Sequence, residues 1–300
     1  MFSMNRLDTP TRVRILSALV EGNSLRAISR MVGISLNTVS KFLADLGPVC
    51  EAFHDENMRN VSAERVQADE IWAFCYAKDK NLPARMRGME GVGSVWTWTA
   101  IDSDTKLMIS WMVGDRDAEC AGRFMKDLAQ RITTRCQLTT DGHGVYERAV
   151  VDAFGWQIDY AQLVKLYGPS RETEARYSPC ECIGAKPIPV IGRPVKEDIS
   201  TSHVERQNLT MRMGMRRFTR LTNGFSKKLA NHRAAVAIHF MHYNFARVHK
   251  TLRVTPAMEA GLADHVWTME ELVGIMEARE LAVVGTDANK RGPYRVKDSN

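Results

Sequence analysis

The sequence predicts a mixed α/β protein with a small all-α module near its N-terminal end. Three observations predict it. Residues 10–43 carry helical apolar spacing in three short runs separated by glycine turns. Residues 66–113 read as three strand segments joined through a loop and a tight turn, and residues 117–154 run amphipathic helix, short strand, helix. With 300 residues, 44% of them hydrophobic and 25% charged, the chain can bury a substantial core and form one large domain plus a small one, or two medium domains. No apolar signal core and no membrane-length apolar run is present, so a soluble, cytoplasmic protein without a membrane partner is expected. Six cysteines without a framework fit reduced thiols, and Cys180-x-Cys182 lacks the spacing and the partner pair of a zinc site.

In the N-terminal module, Val13, Leu16, Leu19 and Val20 form one helical stripe that Gly22 ends. Leu25, Ile28 and Val32 form a second, and Gly33-Ile34 turns the chain. Ser35 then caps a third helix whose Leu36, Val39, Phe42 and Leu43 face inward. Asn37, Thr38, Ser40 and Lys41 are left near its start, where a helix-turn-helix reads base edges. A three-helix bundle without DNA contact is the alternative, and Arg26, Arg30 and Lys41 favour DNA. Gly47-Pro48 is expected to break the third helix. Residues 1–46 are therefore assigned to the helix-turn-helix domain and 47–64 to a linker.

Asp69 and Glu70 interrupt an apolar strand over 66–75. Successive strand residues point to opposite faces, so one acid lies on a packed face, where a charge needs a metal or a hydrogen bond. Asp102 and Asp104 read as turn acids between the next two strands. Asp141 ends a strand over 135–140 and precedes Gly142-His143-Gly144, the position at which open α/β sheets bind ligands. An Asx turn before the helix at 145–154 is the alternative. Residues 156–167 form a possible strand. Residues 168–198, rich in Pro, Gly and charge, read as an insertion or mobile loop with Arg171, Arg176, Lys186, Arg193 and Lys196 available to phosphates.

Glu205 is the last acid before eleven basic residues between Arg206 and Arg253. On a helix, Glu205, Leu209, Arg212 and Arg216 share one face, aiming an acid and two guanidinium groups at one target, such as a metal and DNA phosphates. Ser202 and Glu205 equally fit a capping box, and local sequence leaves both readings standing. The net charge of +6, concentrated after Glu205, favours a polyanionic partner. His239, His242 and His249 sit in an aromatic stretch and read as core or DNA-backbone histidines rather than zinc ligands. A last helix is expected over 268–281 and a disordered tail over 285–300.

Several motifs together resemble the DDE transposases of bacterial insertion sequences. They are Ala68-Asp69-Glu70-Ile71-Trp72, the turn Ala100-Ile101-Asp102-Ser103-Asp104-Thr105 with Asp115-Arg116-Asp117, and Thr139-Thr140-Asp141-Gly142. The run His203-Val204-Glu205-Arg206-Gln207-Asn208, then Tyr243-Asn244-Phe245 and Thr255-Pro256-Ala257, continue the likeness to about residue 256. The resemblance implies a ribonuclease-H-like mixed sheet flanked by helices over 65–256, with 257–300 a C-terminal helix and tail. It implies catalysis and metal ligation by Asp69, Asp141 and Glu205, with two Mg2+ or Mn2+ ions per site. Arg212, seven residues after the Glu, takes the place of a DNA contact, and Arg206, Arg216 and Arg217 join it as DNA-binding candidates. The implied partners are double-stranded DNA, as element ends and target, and further copies of the chain in a dimer or larger synaptic complex of a bacterial, nucleoid-associated protein. A DNA-binding regulator or domesticated transposase without turnover, and a metal-dependent nuclease on the same fold, stay open.

Overall fold

The structure is a computed structural model and describes residues 6–168, 182–219 and 222–290. Three capped helices open it: α1 (Thr9–Val20), α2 (Leu25–Val32) and α3 (Leu36–Asn57). Side chains of Asp8, Ser24 and Ser35 accept the backbone amides of Thr11, Ala27 and Thr38, satisfying donors the helix cannot use itself. Gly33, at φ 78°, ends α2 in the left-handed conformation that glycine adopts without strain.

The expected break at Gly47-Pro48 does not occur. Helix α3 continues through Pro48 to Asn57, so much of the span expected to be a linker is helix. Proline removes one backbone bond, but Leu43, Leu46, Cys50 and His54 bury the same face of the helix. That face lies against α7 (Leu229–Met241), so tertiary packing outweighs the local penalty. Gly47 is the point of closest approach: a Cβ there would stand 2.2 Å from that of Ala234.

The central sheet has six strands in the order β3-β2-β1-β4-β5-β6: β1 (Arg65–Cys75), β2 (Gly93–Asp102), β3 (Met108–Gly114), β4 (Gln137–Asp141), β5 (Asp159–Tyr167) and β6 (Cys182–Ile191). The first three form an antiparallel meander, β4 and β5 add in parallel beside β1, and β6 pairs antiparallel with β5. This is the predicted fold class, a ribonuclease-H-like mixed sheet flanked by helices and extended by one strand. Helices α4 (Ala118–Arg131) and α5 (Val145–Phe154) cover one face, where Trp98 is fully buried against Phe124 and Tyr146. On the other face Trp111 packs on His54 and Phe240, and α6 (Ser202–Gly214) crosses β1 and β2.

Where sequence left 168–198 open, residues 182–191 are the edge strand β6, and 169–181 lie outside the described residues. The long helical pattern over 225–248 resolves into α7 and a π-helical turn, His242–Ala246. That turn lets the buried Asn244 side chain bond both the amide and the carbonyl of Met108, at 3.0 Å each. After the short α8 (Pro256–Glu259), α9 runs from Met269 to Lys290, longer than expected, and docks on α1 and α3 through Arg12–Glu280 and Arg279–Glu56 pairs. The tail expected at 285–300 is helix to Lys290, and 291–300 lie outside the described residues. Among the described residues no helix is long and apolar enough to cross a membrane.

Candidate active site and nucleic-acid interface

Pairing of β1 with β4 ends at Ala68 and Thr140, and from there the two strands diverge. Asp69 and Glu70 follow the split on one side and Asp141 on the other. Although Asp69 and Glu70 belong to opposite faces of β1, both reach the opening, and with Asp141 they place ligand oxygens within 4.8 Å of one another. A crevice at strand ends is where this class of sheet presents ligand-binding groups.

Two side chains dock α6 beside these acids. Gln67 Oε1 accepts the amides of His203 and Val204 at 2.8 and 3.1 Å, capping the helix start from the strand. Asn208 Nδ2 donates to Asp69 Oδ2 at 2.8 Å. Glu205 lies between these anchors along α6. Its carboxylate accepts from the Thr201 hydroxyl and pairs with Lys165 Nζ of β5 at 2.6 Å, so Glu205 stands beside the three-acid cluster without joining it. The capping box with Ser202 is not made. Thr201 is the N-cap residue, and Ser202 bonds through its amide to Ser200.

Burial, with Glu70 and Asp141 adjacent, pushes the Asp69 carboxyl up to about 7. Glu70 is raised too, chiefly by burial. Arg116 counters part of this charge: Nε lies 3.2 Å from Glu70, Nη2 3.6 Å from Asp141, and the guanidinium packs over Trp96 at 4.8 Å. Glu70 Oε1 and Asn208 Oδ1 are buried without a hydrogen-bond partner. Tyr146 lies close enough to Glu70 to influence its ionisation, but its hydroxyl makes no hydrogen bond of ordinary geometry. Crowded hard oxygens, raised acid pKa values and an orphaned carboxylate oxygen fit a divalent cation such as Mg2+ or Mn2+.

Sequence reasoning named Asp69 and Asp141 and kept Glu70 as a runner-up. It missed Arg116, Asn208 and Lys165 as neighbours of these acids. Arg116 lay within the Asp115-Arg116-Asp117 motif, and Asn208 follows Glu205 by three residues, one turn along the helix. Lys165, on a strand with no distinguishing pattern, had no local signal.

The DNA-binding candidates separate by environment. Asn37 and Lys41 are exposed on α3, where Lys41 pairs with Asp45, while the hydroxyl of Thr38 engages that of Ser35. Ser40 faces the core domain, 3.4 Å from Asn231 Nδ2 of α7. Arg206 is exposed and Arg212 half-buried on α6. That helix ends at Gly214, so Arg216 is exposed on a 3-10 turn rather than on the helical face expected for it. Arg217 turns inward: it donates to Ser226 at 2.9 Å, and burial lowers its pKa to about 10. A groove of about 850 Å3 joins the two modules. Arg26, Asn37, Ser40, Arg216, Lys227 and Lys228 are among its lining residues, none of which is acidic.

His239 is 5% exposed and stacked near Tyr243, as expected of a core histidine. Cys50, Cys75, Cys120 and Cys136 are buried free thiols, and Cys182 is an exposed one. Cys180 lies outside the described residues.

No protein-family model and no curated protein matches the chain. Among solved structures it is similar to a piggyBac transposase synaptic complex with hairpin DNA, at 12% identity and a TM-score of 0.39 over 97% of this chain and 77% of that one. It is also similar to the Mos1 transposase paired-end complex with the left transposon end, at 15% identity and a TM-score of 0.22 over 51% of this chain and 59% of that one. A Mos1 mariner paired-end complex with Mn gives 12% identity and a TM-score of 0.22 over 81% and 79%.

Proposed function

We propose that the chain is a DDE-type transposase that cuts DNA at the ends of a bacterial insertion element and joins the resulting 3′-hydroxyl to target DNA. The observation that carries this reading is the meeting of Asp69, Glu70 and Asp141 at the β1–β4 split. Gln67 and Asn208 anchor the helix bearing Glu205 beside them. In this reading Asp69, Asp141 and Glu205 would hold divalent ions, whose charge would supply Lewis acidity at the scissile phosphate. Glu70 adds a fourth oxygen donor at the same place.

The chain's other residues orient the DNA. Lys165 and Arg116, which neutralise Glu205 and the Glu70–Asp141 side, present cations to a phosphate entering the crevice. Arg212 and Arg206 continue positive charge along α6, and Asn37 and Lys41 offer polar contacts from α3 to a duplex in the basic groove. A partner copy would hold the second element end. Residues 1–46 then act as the end-recognition module and 65–256 as the catalytic body.

The test is cleavage and strand transfer on a labelled duplex bearing the element's own terminal sequence, with Mg2+ or Mn2+, comparing wild type with Asp141→Asn. Nicked and joined products that the variant loses, with DNA binding intact, support the reading. Cleavage without joining makes the protein a nuclease of this fold. Binding by both proteins with no product from either makes it a DNA-binding regulator.

A further inference from the structure

Beyond Glu70, strand β1 carries Trp72 and Phe74 on the same face, since alternate residues point the same way. Trp72 and Phe74 have ring centroids 5.7 Å apart. Phe225, from the segment between α6 and α7, stacks on Phe74 at 4.8 Å and 29°. The segment is tied to the strand end by the Tyr76 amide, which donates to the Ser226 carbonyl at 2.8 Å. Lys227 Nζ lies 3.7 Å from the Phe225 ring centroid, and Lys78 Nζ 5.7 Å from that of Phe74. Phe74 and Phe225 open into a recess of about 400 Å3, also lined by Tyr76, Lys78, Lys80 and Asn223 among others, with no carboxylate among its lining residues.

Two features argue for a ligand rather than plain packing. A cluster that only tethers one segment to another has no need to leave Phe74 and Phe225 half-buried beneath mobile lysine ammonium groups, or Tyr76 40% exposed. Tyr76 also adopts φ 66°, a left-handed conformation rarely held by a bulky residue without reason. Partly exposed rings interleaved with ammonium groups are what a nucleic-acid strand with unstacked bases requires: a π face for the base and charge for the flanking phosphates.

The recess lies along the strand that carries the acids. Glu70 and Phe74 are four residues apart on an extended strand, about 13 Å. Asn223 and Phe225 line both this recess and the basic groove beside α3, so the two surfaces are continuous.

We infer that the recess is a stacking site for an unpaired base of the DNA strand, with Lys78, Lys80 and Lys227 holding the adjacent phosphates. Its bearing on the strand being cut rests on the transposase reading; the stacking site itself does not.

The test uses the full chain, a 20-mer oligo(dT) with one 5-iododeoxyuridine, and a blunt 20-base-pair duplex. Ultraviolet cross-linking and peptide mapping should place the adduct on Tyr76, Phe74 or Phe225. Phe225→Ala and Tyr76→Ala should each weaken oligo(dT) binding about 5- to 100-fold, the range that loss of one base–aromatic stack gives. Duplex affinity should change less than about twofold, because the duplex offers no unpaired base to the site. Phe225→Trp should retain oligo(dT) binding, separating stacking from loss of fold, and the exposed position of Tyr76 makes its variant a second control. Adducts elsewhere, or oligo(dT) affinity unchanged in both alanine variants, overturn the site while leaving duplex cleavage by the acids intact. A wild-type chain that binds neither DNA overturns both readings, and one that binds oligo(dT) through the recess but never cuts overturns only the transposase.

Discussion

Gln67 on β1 accepts the backbone amide of His203 at 2.8 Å, so a strand side chain caps the helix that carries Glu205. The same oxygen takes the amide of Val204. Gln67→Ala leaves two amides at a helix start without their acceptor. Leaving one buried donor unsatisfied costs about 1–3 kcal/mol, and a loss in that range is expected in chemical denaturation. DNA cleavage should fall further than DNA binding, because Glu205 loses its fixed place beside Asp69 while the basic surfaces are untouched. A variant that cuts as wild type does would separate the helix start from the chemistry.

The acid cluster should bind a divalent cation in the absence of DNA. A thermal melt of wild type should rise on adding Mn2+ or Mg2+, since a ligand that binds only the folded state stabilises it by about 2.7 kcal/mol at a hundredfold excess over Kd. Asp69→Asn and Asp141→Asn should each abolish the rise. If all three melts move together, the cation sits elsewhere.

Arg116 neutralises Glu70 and Asp141. Arg116→Ala removes a cation from the place where metal charge would be felt, so the Mn2+-induced shift should appear at lower metal concentration. Cleavage should nevertheless decrease, because a cation facing the entering phosphate is lost. Weaker metal binding in the variant would assign Arg116 to orienting the acids instead.

His54, His232 and His239 are buried, and burial lowers each to about 3. Their folded pKa lies below the unfolded value near 6.5, so the stability they contribute is present above pH 6.5 and is lost as pH falls towards 3. At pH 5 each would withdraw about 2 kcal/mol, a figure that requires only a folded pKa well below 5. Denaturation midpoints between pH 7 and pH 5 should therefore fall steeply. Replacing His239 by Gln should flatten the slope; a profile as steep as wild type would show that His239 is not held neutral.

Gly47 faces Ala234 with no room for a Cβ. Gly47→Ala should part α3 from α7 and cost about 1–3 kcal/mol, the usual penalty of overpacking. Ala234→Gly in the same chain should recover part of the loss. A single variant as stable as wild type would mean that the helices can separate without cost.

Asp69 and Asp141 could be placed from sequence because their signals are local: an acid interrupting an apolar strand, and an acid before two glycines at a strand end. Glu70 could not be promoted on the same basis. Alternation assigns it to the opposite face from Asp69, and only the divergence of β4 after Thr140 lets both acids reach one crevice. Arg217 counted as one more charge in a basic run, but its side chain packs inward against Ser226.

By itself the sequence determined the order and type of nearly every element, the three N-terminal helix starts, the turn acids and the chemistry on offer, because periodicity, caps and turn residues act within a few positions. Tertiary structure decided the continuation of α3 through Pro48, the strand β6, the pairing of Glu205 with Lys165 and the joining of the basic groove to the aromatic recess. Each depends on which faces meet across long separations in the chain. A buried helix face or a neighbouring charge outweighs the local propensity that the sequence displays.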